Sequence, residues 1–346
     1  MPYSLQLALA TLALTVVATA LVRVLAHRAG ALDHPGPRRI HDQPVPTLGG
    51  LAMAASTLAV AWLARTLPGP ARELDVRPLL GLSLASVPLL GLGIVDDTRG
   101  VSPPVKLLFQ IAAGVVLVAF GYGVPLLTNP FGEPIAAGIW SGPLAILWVV
   151  IVINAINLID GLDGLAAGVV AIAAATLWWV GRGHGDFYVM FMASLLIGTT
   201  LGFLFFNFPP ARIFMGDTGS HFLGLVLAAA SLLENRKATT TVALLFPLTA
   251  LAVPLADGVF AFARRLKAGR HVFSADREHV HHRVLRLGIG PRASLFVLWG
   301  FCGACGLLGM MLEALPRATG VLLVAAMAVA LFGVYRLLGR RGDSSN

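Results

Sequence analysis

Asn154-Ala155-Ile156-Asn157-Leu158-Ile159-Asp160-Gly161-Leu162-Asp163-Gly164 sets two amides, two carboxylates and two glycines between long apolar runs. Such side chains are costly in hydrocarbon and mark function by default. Asn157, Asp160 and Asp163 follow one another at intervals of three, so a helical backbone would put them on one face. Oxygen donors of this kind suit Mg²⁺ rather than Zn²⁺, and Mg²⁺ needs only one or two protein oxygens beside water and phosphate. Gly93-Ile94-Val95-Asp96-Asp97-Thr98-Arg99 places two adjacent carboxylates at the end of an apolar run. They repel unless a cation or proton is shared, and a helix C-terminus is the wrong end for negative charge. A Mg²⁺ site or a proton-accepting base accounts for them. Lys106 follows across a short loop, with Gln110 one turn further on, and could meet the same phosphate or simply anchor its helix.

Two further clusters carry chemistry. Phe214-Met215-Gly216-Asp217-Thr218-Gly219-Ser220 holds Asp217 in a tight turn, where Thr218 and Ser220 could cap the next helix and leave Asp217 for metal. Asp276-Arg277-Glu278-His279-Val280-His281-His282-Arg283 gathers imidazoles and guanidiniums without the spacing of a common zinc site. These groups grip phosphate and stabilise charge on a leaving group, so an anion clamp is expected. His221 is expected to pack or cap. Pro44-Val45-Pro46-Thr47-Leu48-Gly49-Gly50, behind Arg38 and Arg39, fits two roles equally, a lipid-anchored helix start or a close approach of backbone to phosphate.

The elements that must position these groups are membrane helices. Of 346 residues 57% are hydrophobic and 12% charged, against roughly 25% charged in soluble domains. Apolar windows predict eleven spans near 4–26, 48–66, 78–95, 105–122, 138–156, 164–181, 187–206, 219–234, 241–262, 293–313 and 318–337. The first is expected as an uncleaved helix, since no positive n-region precedes it. Connections after odd-numbered helices, with the tail, hold 18 of the 25 Lys and Arg residues. The positive-inside rule makes that face cytoplasmic, the N-terminus outside and the C-terminus inside. The net charge of +8 follows topology and does not call for nucleic acid. All five motifs fall on the cytoplasmic face, the longest of whose loops spans 263–292. Cys302 and Cys305 are expected as small packing residues.

One-sided chemistry argues for an enzyme at one leaflet, where a transporter would place its site near the midplane. A Mg²⁺ site, a carboxylate base and an anion clamp together suit metal-assisted phosphoryl transfer. No GxxxxGK[ST] loop is present, which argues against ATP hydrolysis. The predicted architecture is a single all-α, polytopic transmembrane domain over residues 1–346.

These motifs, in this order, resemble the polyprenyl-phosphate N-acetylhexosamine-1-phosphate transferases, the WecA/TagO-like branch of glycosyltransferase family 4, related to the phospho-MurNAc-pentapeptide translocases. The resemblance covers nearly the whole chain: Pro44 to Gly50, Asp96-Asp97 with Lys106 and Gln110, Asn154 to Leu165, Phe214 to Ser220 and Phe273 to Arg283. It implies transfer of a sugar-1-phosphate, GlcNAc-1-phosphate first, from a UDP-N-acetylhexosamine to undecaprenyl phosphate in the bacterial inner membrane, with release of UMP. Val280 interrupts the histidine run and Arg283 follows it, which favours this donor over UDP-MurNAc-pentapeptide. By position, the resemblance implies that Asn157 and Asp217 bind Mg²⁺, with Mn²⁺ as a substitute. It implies that Asp96 or Asp97, Asp96 first, deprotonates or orients the lipid phosphate, and that Lys106 holds phosphate. Asn154, Asp160, Gly161 and Asp163 would shape the nucleotide-sugar pocket, and Arg265, His279, His281, His282 and Arg283 would clamp sugar and diphosphate. A homodimer is compatible with such a bundle. Direct attack and a covalent aspartyl intermediate both remain open.

Overall fold

The computed structural model describes residues 2–34, 43–127, 135–237, 284–285, 288–313 and scattered positions from 315 to 333. The predicted span at 241–262, most of that at 318–337 and most of the loop at 263–292 lie outside the described residues. So do Arg265, His279, His281, His282 and Arg283.

Nine long helices account for nearly all the described structure: α1 (Tyr3–Arg28), α2 (Gly49–Thr66), α3 (Val76–Arg99), α4 (Pro103–Ala119), α5 (Ser141–Ile159), α6 (Leu165–Gly183), α7 (Phe187–Asn207), α8 (Gly216–Lys237) and α9 (Pro291–Glu313). They coincide with nine of the predicted spans, and six described stretches are long and apolar enough to cross a membrane. Helices close their backbone hydrogen bonds internally, the condition for crossing a bilayer. The chain is an all-α, multi-pass membrane protein.

Helix boundaries follow local chemistry. Asp75 caps α3 by accepting the Arg77 N–H at 3.0 Å, and Asp186 caps α7 by accepting from Tyr188 and Val189. Pro103 and Pro104 open α4, where their missing N–H groups leave nothing unsatisfied. Among the described residues there are also two short strand pairs: β1 (Leu32–Asp33) pairs with β2 (Val45–Pro46), and β3 (Leu126–Leu127) with β4 (Ile135–Ala136).

The core is built around α8, which packs against α2, α3, α5, α6 and α7. Every residue from Thr218 to Leu233 is buried, so this stretch of the helix is enclosed all round. Small residues let neighbouring backbones come close to its start. A Cβ on Gly50 of α2 would lie 2.0 Å from the Gly219 nitrogen, and one on Gly93 of α3 would lie 2.4 Å from the Thr218 Cα. Three backbone hydrogen bonds tie β2 and the start of α2 to the strand of chain entering α8: Phe214 N–H to the Pro46 carbonyl, Gly49 N–H to Phe214 and Gly50 N–H to Met215. The close approach foreseen at Gly49-Gly50 is thus made to the chain's own backbone.

Two local expectations are corrected. Helix α5 ends at Ile159, and Asp160 is its C-cap, so Asn157 is helical while Asp160 and Asp163 sit in the following turn. The eighth helix begins at Gly216 rather than 219, which places Asp217 in its first turn.

Candidate active site

The turns between α5 and α6 and before α8, the α3 C-terminus and the β1–β2 hairpin open onto one cavity of about 970 Å³. Asp96, Asp97, Asn157, Asp160, Gly161, Asp163 and Asp217 all line it. Residues as far apart in the chain as Asp33 and Ala293 therefore share one chamber.

Its centre is a carboxylate cluster closed by a cation. Carboxylate oxygens of Asp96, Asp97 and Asp217 lie within 4.8 Å of one another. Lys106 donates from Nζ to Asp96 Oδ2 at 2.7 Å and to Asp217 Oδ2 at 2.6 Å. Charge-assisted contacts this short fix all three side chains. Asp96 Oδ1 also accepts the Val101 N–H at 2.7 Å, which locks the turn from α3 to α4 and sets where Lys106 enters.

Asp97 is engaged differently. It accepts the backbone N–H of Asp217 at 2.7 Å, the Thr218 hydroxyl at 2.7 Å and the Thr218 N–H at 3.3 Å. It thereby caps α8 from another helix, and its charge lies at the end of α8 that attracts anions. Negative charge that is misplaced for α3 is well placed for α8. Thr218 and Ser220, expected as caps, serve elsewhere: Thr218 donates to Asp97, and the Ser220 hydroxyl accepts from Asn157. Gly216 is required here, since its φ is +67° and a Cβ would lie 2.3 Å from Asp97 Oδ2.

Asn157 donates from Nδ2 to Asp217 Oδ1 at 2.9 Å and to Ser220 Oγ at 3.0 Å. The donor set around Asp217 is made of hard oxygens, with an amide that presents its oxygen after a half-turn, and this chemistry fits Mg²⁺. Burial, and then the negative charges of Asp217, Asp97 and Asp163, hold the Asp160 carboxyl well above the usual carboxylate range. His221 is buried one turn beyond Asp217, with Nε2 3.8 Å from Asp217 Oδ2, so it packs beneath the cluster.

Asn154 does not reach the chamber. It stands one turn back on α5 in a two-way amide pair with Gln110, donating from Nδ2 to Gln110 Oε1 at 2.6 Å. The pair satisfies the buried Gln110 amide between α4 and α5.

Three polar lining residues escaped the sequence motifs: Asp33, Asn207 and Arg292. Asn207 had a legible signal, a polar residue ending an apolar span just before Pro209-Pro210. Its Oδ1 accepts the Gly164 N–H at 2.9 Å while Nδ2 donates to the Ile213 carbonyl at 3.0 Å. One buried amide thus joins the start of α6 to the loop before α8. Asp163 holds the same loop by accepting the Ala211 N–H at 2.8 Å.

Fold and site together define a helical membrane protein whose polar chemistry is gathered at one set of helix ends around an oxygen-rich, cation-bridged cluster. The chain belongs to glycosyl transferase family 4, in its WecA/TagO-like branch, and the family model matches residues 79–235. It is 36% identical over 284 residues to a probable undecaprenyl-phosphate N-acetylglucosaminyl 1-phosphate transferase of Bacillus subtilis, covering 82% of this chain and 77% of that one. A decaprenyl-phosphate N-acetylglucosaminephosphotransferase of Mycobacterium leprae is 37% identical over 96% of this chain and 89% of its own. A phospho-N-acetylmuramoyl-pentapeptide-transferase of Enterococcus hirae is 33% identical over 68% and 74%.

Proposed function

We propose that the protein transfers N-acetylglucosamine-1-phosphate from a UDP-sugar to undecaprenyl phosphate or a close polyprenyl phosphate. UMP is released, at the cytoplasmic leaflet of a bacterial inner membrane, as a first membrane step in cell-envelope glycan synthesis. The arrangement of eleven spans, N-terminus outside and C-terminus inside, belongs to the same reading. The observation that carries it is the bridge from Lys106 to Asp96 and Asp217, two carboxylates that line a chamber at the helix ends. The names of the relatives supply the substrate class.

In this reaction a phosphate oxygen of the lipid forms a bond to the β-phosphorus of the donor. The bond from that phosphorus to the bridging oxygen breaks, and the bridging oxygen leaves with UMP. Asp96 is the carboxylate assigned to orient the lipid phosphate and accept its proton, because it shares the Lys106 ammonium with Asp217, whereas Asp97 accepts its three hydrogen bonds from the first turn of α8. Lys106, already beside Asp96, steadies the incoming phosphate. Asp217, with Asn157 through its amide oxygen, would hold Mg²⁺, which when bound neutralises charge on the diphosphate oxygens. Asp160, Gly161 and Asp163 form the wall against which the nucleotide sugar lies.

UMP release by detergent-purified protein, with undecaprenyl phosphate and a panel of UDP-N-acetylhexosamines, tests the proposal. UDP-GlcNAc is expected to be the best donor and Asp217→Ala to abolish release. Movement of lipid or sugar across vesicles without UMP formation would overturn it.

A further inference from the structure

Arg292 belongs to none of the motifs above, yet it lines the chamber beside Pro209 and Asn207. It is the second residue of α9, and Leu295 and Leu298 on the following turn are buried, so its backbone is firmly seated. Its Nε–H donates to the Pro209 carbonyl at 3.0 Å. Two residues on, the same loop gives the Ala211 N–H to Asp163. Arg292 is therefore tethered on the Asp163 side of the chamber, whereas Lys106 stands on the side of Asp96 and Asp217.

A guanidinium offers five N–H donors in a planar fork. The Pro209 carbonyl takes one, and among the described residues no hydrogen bond or ion pair engages the others. The charge balance gives this weight. Asp33, Asp96, Asp97, Asp160, Asp163 and Asp217 line the chamber, and Arg292 is the one Lys or Arg among its described lining residues. A doubly charged diphosphate could not enter such an acidic space without cations on its path. Mg²⁺ would serve the end at Asp217, and a cation on the Asp163 side would serve the second phosphate beside the anion clamp expected from the 263–292 loop. A fork pinned through Nε matches phosphoryl oxygens in geometry and charge.

We propose that Arg292, held by the Pro209 carbonyl beside Asp163, is a donor-binding residue whose guanidinium grips phosphoryl oxygens on the nucleoside side of the nucleotide-sugar diphosphate. This rests on the transferase reading above. A lipid monophosphate presents the same oxygens, and the two sources separate kinetically.

The full-length protein is compared with Arg292→Lys and Arg292→Gln in detergent. KM is measured for UDP-GlcNAc and for undecaprenyl phosphate, UDP binding by calorimetry, and folding by thermal melting. The expected result is a rise in donor KM of about tenfold or more in Arg292→Gln, with a parallel loss of UDP affinity. Acceptor KM and melting temperature stay near wild type. Arg292→Lys recovers only part of the donor affinity, because a point charge does not reproduce the fork. Unchanged donor KM and UDP affinity overturn the proposal. So does a change confined to the acceptor KM, which would give Arg292 to the lipid phosphate, or a fall in melting temperature that both variants share with equal loss toward both substrates. A wild-type protein that binds UDP but releases no UMP defeats the transferase reading alone, and the binding arm still decides Arg292. A wild-type protein that does not bind UDP overturns both.

Discussion

The Asp97 carboxylate accepts the backbone N–H of Asp217 at 2.7 Å, although 120 positions separate them in sequence. The first turn of α8, and with it the direction of the Asp217 side chain, is therefore set by a residue at the end of α3. Asp97→Ala leaves the Asp217 and Thr218 N–H groups without this acceptor, at a cost of about 1–3 kcal/mol. The expected outcome is a lower melting temperature together with lost transfer. Loss of transfer at an unchanged melting temperature would give Asp97 a chemical role instead of a positioning one.

Lys106 is the cation between Asp96 and Asp217. Lys106→Met removes it and leaves two facing carboxylates. Turnover should fall by about a hundredfold or more, on the scale seen when a charge-stabilising donor is removed from an active site. Lys106→Arg should keep part of the rate. Single-turnover UMP release measures both, and a near-normal rate in Lys106→Met would take Lys106 out of the chemistry.

Metal removal gives a third check. Excess EDTA should stop transfer, Mg²⁺ should restore it and Mn²⁺ should substitute, because the donors are hard oxygens. Asp217→Asn should raise the Mg²⁺ concentration needed for half-maximal rate. An Asp217→Asn protein with wild-type metal dependence would remove Asp217 from the metal site.

Asp160 makes a pH prediction. Its folded-state carboxyl is held above the ordinary range, so without metal the folded protein binds a proton that the unfolded chain releases. The resulting penalty on stability is absent at low pH, grows as pH rises through the raised value and is complete above it. In EDTA, Asp160→Asn should therefore raise the melting temperature at pH 8 and change it little near pH 4. Equal effects at both would show that the Asp160 charge is not strained.

Gly50→Ala tests the approach of α2 to α8. The added Cβ would stand 2.0 Å from the Gly219 nitrogen, a backbone atom that cannot swing aside. Overpacking of this kind costs about 1–3 kcal/mol, read as a lower melting temperature. Transfer should weaken as well, because the same backbone carries Asp217.

Much of this molecule was legible one residue at a time. Apolar length fixed nine described helices, since a bilayer leaves the backbone few alternatives to helix. Polar and ionisable side chains at helix ends marked Asp96, Asp97, Lys106, Asn157, Asp160, Asp163 and Asp217, because such groups are too costly in hydrocarbon to be there idly. Spacing could not say which of them does what. Asp97 serves as the cap of a distant helix, Asn154 pairs with Gln110 away from the chamber, and Arg292 enters a site that no motif foretold. Hydropathy and local spacing see only neighbours along the chain, whereas a hydrogen-bond partner or a cavity wall is settled by how helices far apart in sequence come to rest against α8.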